Sequence, residues 1–482
     1  MDARFILIIF LLYTAILFIA GWLTSRKSNE ESYYIGNRAS KWFVVAYGMI
    51  GASLSGVTFI SVPGWVGERS FSYMAVVLGY LLGYAVIANI LLPLYYRLKL
   101  TSIYTYLDQR YGKISYKTGA SFFLLSRYIG ASFRMFLVIN VLQVFVFDRW
   151  DVPFWITVAG FLMLIMLYTL KGGIKTIVWT DMLQTTFMLV ALGLSIYYIA
   201  DIWDGGFSGL LQEVKTSSLS KMFFWDPKSA YHFVKLFISG IFITIVMTGL
   251  DQDMMQKNLS CRNLKEAKRN MYWMSFMLVP VNLLFLFLGA ALFLFAAKYN
   301  ISIPERTDNL FPLIAFSHLG ITAGIVFLIG LIAAAYSSAD SALTALTTSF
   351  SIDILEIKKK NWSDQKKSRV RMLIHIGSAI LLTTIIIIFR ANSKESVIQK
   401  LFEFAGYTYG PLLGLYSFGL FTKLNTREKL VPVIAIIAPV LSYFTTIYSK
   451  KWYDWEIGFE VLIINGAFTF LMLLLCSVKM KK

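Results

Sequence analysis

Apolar residues along this chain come in long runs, separated by short polar stretches. A helix needs roughly 20 mainly apolar residues to cross the hydrocarbon core of a bilayer. Thirteen runs approach that length, near residues 4–24, 43–67, 72–96, 119–147, 153–170, 177–201, 233–250, 272–297, 319–351, 371–390, 402–421, 430–447 and 456–477. This pattern predicts an all-α polytopic membrane protein, organised as one transmembrane domain over 1–482 without an inserted soluble domain, linker or low-complexity tract. No small-residue cleavage site follows the first run, so a retained helix is expected there and not a signal peptide. The interval 202–232 mixes charges with Trp203 and Trp225 and is expected to hold a short amphipathic helix.

Composition sharpens the picture. The apolar class makes up 57% of residues and charged residues only 15%, with a mean hydropathy of +0.65. The formal net charge of +18 would raise the question of nucleic acid in a soluble protein. Here its placement answers otherwise. The loops after every second run, together with the tail Lys479, Lys481 and Lys482, carry 29 basic residues, and the opposite side carries 14. Basic loops stay in the cytoplasm, so the amino terminus is expected outside and the carboxyl terminus inside a cell (plasma or inner) membrane. On this account lipid is the surrounding partner, and neither nucleic acid nor an obligatory protein partner is implied. The run KKKNWSDQKKSR at 358–369 reads as one of these inner loops, and Lys257 to Arg269 as another. Cys261 and Cys476 imply no disulfide framework, and His232, His318 and His375 lack metal-ligand spacing. Without a histidine–carboxylate cluster, a nucleophile elbow or a phosphate loop, no catalytic residues are assigned and an enzyme is not expected.

Ionisable groups inside apolar runs are costly unless paired or hydrated, which makes them informative. Four stand out: Arg127 and Arg134 in 119–147, Asp181 in 177–201 and Asp340 in 319–351. Arg127, nearer the cytoplasmic half, reads as structural. The segment GASLSGVTFISVPG at 51–64 combines Gly51, Gly56, Pro63 and Gly64 with the hydroxyls of Ser53, Ser55, Thr58 and Ser61. A broken helix there would offer backbone carbonyls to an ion or solute; close packing through small residues is the other reading. In AAAYSSADSALTALTTSF at 333–350, Ser337, Asp340, Ser341 and Thr344 share one helical face, flanked by Ala334 and Ser338. An all-oxygen stripe of this kind suits a hard cation.

With YYIGNR at 33–38, GGIKTIVWTDMLQ at 172–184, GLDQDMMQ at 249–256 and YTYGPLLG at 407–414, these segments give the chain a family likeness over about 33–421. It resembles the sodium:solute symporter family. The resemblance implies a leucine-transporter-like core of two inverted five-helix repeats, over about 43–201 and 233–421, whose first helices are broken. It also implies that Na+ is the co-transported ion. The implied sodium ligands are the carbonyls of Gly51, Leu54 and Ala334 and the hydroxyls of Ser337 and Ser338. For a second cation site it offers Asp181, Ser338, Asp340 and Ser341, with Asp340 where the family would have serine. That departure leaves the sodium stoichiometry, and whether one carboxylate binds a proton, as open questions.

The solute is expected to be a small organic molecule taken up with sodium. Arg134 can fork onto a carboxylate, and sialic acid symporters of the family, which the chain resembles here, place an arginine at the matching position. An organic anion, a sialic acid or another sugar acid first, is therefore expected against Ser53, Ser55, Thr58 and Arg134, with Thr244, Thr248, Tyr407 and Tyr409 as further contacts. Two alternatives stand beside it. Arg134 could pair with Asp181 or Asp340, leaving a neutral solute such as a sugar, polyol or amino acid. The same fold could also serve a solute-gated sensor or channel.

Overall fold

The computed structural model describes residues 3–25, 33–34, 36–392 and 397–478. Arg26, Lys27, Lys479, Lys481 and Lys482, counted above as inner charges, lie outside the described residues, as do the side chains of Lys171 and Lys175.

The chain is almost entirely helical. In hydrocarbon every backbone N–H and C=O must be satisfied within the protein, and a helix does this locally. The main helices are α1 (Ala3–Ser25), α2 (Trp42–Arg69), α3 (Tyr73–Val86), α4 (Lys113–Phe145), α5 (Phe154–Asp201), α6 (Gly206–Thr216), α7 (Phe233–Thr244), α8 (Gln252–Leu259), α9 (Leu264–Lys298), α10 (Leu310–Ser317), α11 (Gly320–Ser349), α12 (Asp364–Asn392), α13 (Val397–Phe421), α14 (Val431–Tyr453) and α15 (Val461–Leu475). Eight described helical stretches are long and apolar enough to span a bilayer, or nine when the bent pair α7–α8 is taken as one span. The stretch Trp42–Arg97 alone is 56 residues long and holds two of the expected runs. The helix α6 is the short amphipathic one expected within 202–232, with Leu210 and Val214 buried.

Apolar side chains cover the outside. Leu12, Ile19, Trp22, Trp155, Met163, Ile380 and Ile436 are each more than half exposed, a surface that fits lipid and not water. The polar residues lie inside: Asp181, Asp251, Asp253, Lys257, Asp340 and Asp353 are all at most 3% exposed. At the α11 end, Lys359 and Lys113 each lie 3.0 Å from Glu356 and hold its carboxyl down at about 2, well below the usual carboxylate value.

Three breaks shape the bundle. α2 is interrupted at Ser55, whose φ of 51° and ψ of 177° are not helical. The break falls beside Gly56 and not at Pro63, where the helix continues. α5 is interrupted at Gly173, with φ 52°; a Cβ there would lie 2.6 Å from the Tyr33 backbone, so this position requires glycine twice over. α7 and α8 meet at 65°, and Asp251 caps α8 by accepting from the N–H groups of Asp253 at 2.9 Å and Met254 at 3.3 Å. The expected run at 233–250 matches the helical stretch Phe233–Gly249, which continues α7. Beyond it, however, the chain does not enter a solvated loop. Lys257 is 1% exposed on α8, which corrects its count among the inner loop charges. An opposing carboxylate from another helix makes that burial tolerable.

Close helix contacts fix the relative positions of these pieces. A Cβ on Gly240 of α7 would lie 2.2 Å from the Val76 carbonyl oxygen of α3, and one on Gly79 of α3 would lie 2.2 Å from the Phe237 carbonyl oxygen of α7. Gly240→Leu is therefore expected to destabilise the protein by about 1–3 kcal/mol, as overpacking of a tight contact does, and to lower Tm in detergent. Gly160→Ala, where nothing lies within 4 Å, is the control that should not lower Tm.

Candidate functional site

The break in α2 opens onto a central cavity. It is lined by Ser53, Ser55 and Thr58 of α2, Tyr73, Tyr80 and Tyr84 of α3, Arg134 of α4, Thr244 of α7 with Thr248 just beyond it, Asn282 of α9, and Leu401 and Phe402 of α13. Counting its open mouth, the cavity holds about 670 Å³ of empty space. Arg134 is half-buried and lies next to a second, smaller cavity that also touches Arg127 and Tyr409. Its Nε has no hydrogen-bond partner among the described residues, and neither has the buried Thr244 Oγ1. Arg134 pairs with neither Asp181 nor Asp340; both carboxylates have other partners. Tyr73 and Phe402 of the lining belong to an aromatic cluster, with Trp65 5.9 Å from Tyr73 and 6.1 Å from Phe459, and Phe402 4.9 Å from Phe459 by ring centroids.

Two of the expected solute contacts lie elsewhere. Tyr407 turns toward α14, its ring 6.2 Å from that of Tyr443, and is absent from the cavity lining. The reason is helical phase: Leu401 and Phe402 take the cavity face of α13, and Tyr407 falls on another. Tyr409 is also absent from the central cavity, because its hydroxyl donates to Asp251 Oδ2 at 2.5 Å. Ser53, Ser55, Thr58, Arg134, Thr244 and Thr248 all line it.

The candidate cation ligands gather where α2, α5 and α11 meet. Gly51 packs so tightly on α5 that a Cβ would sit 2.1 Å from Thr185 Oγ1, and one on Gly48 would sit 3.0 Å from Asp181 Cβ. Further along, Gly330 of α11 meets Phe59 of α2, where a Cβ would lie 2.7 Å from the ring. Leu54, Ala334, Ser337 and Ser338 are all buried. Ser338 Oγ donates to the Ala334 carbonyl at 3.2 Å, and Ser337 Oγ donates to Asp181 Oδ1 at 2.9 Å. Ser341 Oγ and Thr344 Oγ1 are buried without a partner among the described residues. Asp340 Oδ1 accepts from the Ser341 N–H at 2.6 Å. The Gln184 amide lies between the two carboxylates: its nitrogen is 3.5 Å from Asp340 Oδ2, and turning the amide over brings it 3.2 Å from Asp181 Oδ1.

Asp251, Asp253 and Lys257 were missed by sequence reasoning. Lys257 Nζ lies 2.7 Å from Asp181 Oδ2 and 4.0 Å from Asp253 Oδ1. Arg127 is bonded to Asp253 through Nη2, and its Nη1 is 3.7 Å from Asp251 Oδ2. One buried network thus ties α4, α5, α8, α11 and α13 together. The signal was present in GLDQDMMQK, three ionisable residues directly after an apolar run, with Asp253 and Lys257 one helical turn apart.

Comparison with known proteins agrees with this architecture. A model of the sodium:solute symporter family matches residues 33–430. The chain belongs to the sodium:solute symporter family. It is similar to a sodium/sialic acid symporter of Aliivibrio fischeri, at 24% identity over 94% of this chain and 90% of the relative. A sodium/sialic acid symporter of Proteus mirabilis is also 24% identical, over 94% and 92%. The sodium-coupled monocarboxylate transporter 1 of Mus musculus is 25% identical over 82% of this chain and 64% of the relative. Among solved structures, a Na+-coupled sialic acid symporter in a substrate-bound outward-open state superposes with a TM-score of 0.82 at 21% identity, over 98% of this chain and 99% of that one. The transporter Mhp1 in a closed conformation superposes at 0.56, with 14% identity, over 92% and 94%. The fold is the leucine-transporter-like one, an all-α membrane protein with a five-plus-five inverted-repeat core. The protein is a multi-pass membrane transporter and not an enzyme, and Na+ is the ion it moves with its solute.

Removing one member of a buried ion pair strands its partners, at a cost of about 3–5 kcal/mol. Arg127→Leu, which leaves Asp251 and Asp253 without their guanidinium, is expected to lower Tm in detergent by at least as much as Gly240→Leu. An unchanged Tm would show that the network contributes nothing to stability.

Proposed function

We propose that this protein imports a small hydroxylated organic anion, a sialic acid or another sugar acid first, using the sodium gradient. The observation that carries this reading is Arg134, a guanidinium on the central cavity with no carboxylate partner of its own among the described residues. A buried or half-buried guanidinium is stabilised when a bidentate anion meets it. Hydroxyls of Ser53, Ser55, Thr58, Thr244 and Thr248 line the same space and match a polyhydroxylated solute. The relatives named for sialic acid and for monocarboxylates support the same chemistry.

Sodium is held by the carbonyls of Gly51, Leu54 and Ala334 and by the hydroxyls of Ser337 and Ser338. The break one residue after Leu54 supports this, since it takes α2 carbonyls out of the helical ladder. Sodium there stabilises the form open to the outside, and the solute binds beside it. Once both are enclosed, the bundle rocks against the scaffold and releases them to the cytoplasm. Each unit charge moving inward gains about 2.3 kcal/mol per 100 mV of membrane potential. The amino terminus lies outside a cell membrane and the carboxyl terminus in the cytoplasm, as the distribution of basic residues implies.

In proteoliposomes, a panel of sugar acids, monocarboxylates, neutral sugars and amino acids should show uptake of an acid that requires sodium. Uptake indifferent to sodium would reject the mechanism, and a neutral solute preferred over every acid would reject the anion. Arg134→Ala should lower kcat/KM for the acid by about a hundredfold or more, the scale of losing a desolvated charge partner; full activity would remove Arg134 from the solute site. Ser338→Ala should raise the sodium concentration for half-maximal uptake by about tenfold, as loss of one oxygen to a cation does. An unchanged sodium requirement would remove α11 from the ion site.

A further inference from the structure

Asp181 was expected to serve a second cation site, yet both of its carboxylate oxygens are engaged. Oδ1 accepts the Ser337 hydroxyl at 2.9 Å, and Oδ2 lies 2.7 Å from Lys257 Nζ. Lysine and carboxylate are each 1% exposed at their side chains. Arg127 serves the neighbouring carboxylates Asp253 and Asp251, which leaves Asp181 as the nearest counter-charge of the lysine. Lys257 is also held in place. It sits on α8, whose eight residues are all buried, and Asp251 caps the first turn of that helix.

A lysine ammonium is a compact point charge of the same sign and size of charge as a sodium ion. Ion-paired with Asp181 at 2.7 Å, it supplies the compensation that a bound sodium would otherwise give. A sodium entering beside it would bring a second cation against a carboxylate that already has its counter-charge, in a region where charges are poorly screened.

We propose that Lys257 is a tethered cation that occupies the place of a second sodium beside Asp181, so that this protein binds and couples one sodium ion per solute. The inference rests on the sodium-symport reading given above. It also assigns Asp181 a positioning role. By holding Ser337, the carboxylate orients a hydroxyl of the remaining sodium site without itself ligating the ion.

Direct binding of 22Na+ to the purified full-length protein tests this without any knowledge of the solute. The wild type should bind one sodium per chain. Lys257→Met should bind two, because Asp181 is then a free carboxylate. Lys257→Met combined with Asp181→Asn should return to one. Asp181→Asn alone should keep the single sodium, with a weaker affinity where Ser337 is less well oriented. Two ions on the wild type, or one on a folded Lys257→Met protein, would overturn the proposal. Should Lys257→Met fail to fold, Asp181→Asn decides: complete loss of sodium binding would make Asp181 a direct ligand and refute the tethered-cation role. No sodium bound to the wild type would instead reject the symport reading itself, so the two failures are distinguishable.

Discussion

A helix cannot be opened inside hydrocarbon unless something takes over the backbone groups it frees. That constraint governs this molecule. α2 opens at Ser55 in the middle of the bundle, and every side of the opening is protein or cavity. α9 packs along one flank, where Gly289 lies against Pro63. α5 packs along another, where Gly51 lies against Thr185. The glycines are close-approach points; they let neighbouring helices hold a strained segment at fixed distance, and the open face turns to the central cavity. A cavity with carbonyls and hydroxyls on its wall is what a carrier of ions and polar solutes requires.

The second device is electrostatic. Charges inside a membrane are tolerated when paired, and the shortest of these pairs join different helices. Arg127 comes from α4, Asp251 and Asp253 from the α7–α8 junction, Asp181 from α5 and Lys257 from α8. Such pairs contribute little net stability compared with apolar packing, because desolvation opposes them. What they supply is position. α8 departs at 65° from α7, and its buried charges fix where that short helix must sit relative to α4 and α5. Arg134 lies on the same helix as Arg127, two turns away, but faces the cavity. Of the two arginines, one is committed to the scaffold and the other lines the central cavity.

Much of this was legible along the chain because membrane solvation acts locally. Long apolar runs report spans, and the hydroxyl stripe with an aspartate on 333–350 is unusual enough to point to chemistry by itself. So is an arginine in mid-run at position 134. The GLDQDMMQK segment was harder. Judged alone, its charges end a hydrophobic run and suggest a cytoplasmic loop; only a guanidinium on α4 and a carboxylate on α5 make their burial tolerable. Tyr407 was hard to place for a different reason. Its helix is legible in the sequence, but phase about the helix axis depends on which neighbours pack there, and here α14 takes that face.

The sequence by itself determined the solvent this protein lives in, its helical class, its family and the stripe of oxygens suited to a cation. These come from residue type and spacing, which act within one segment. Tertiary structure decided which charges meet. Lys257 and Asp181 are 76 positions apart, and no local rule connects them. Their ion pair exists because two helices cross where each would otherwise bury an uncompensated charge. That crossing turns an expected sodium ligand into the partner of a lysine.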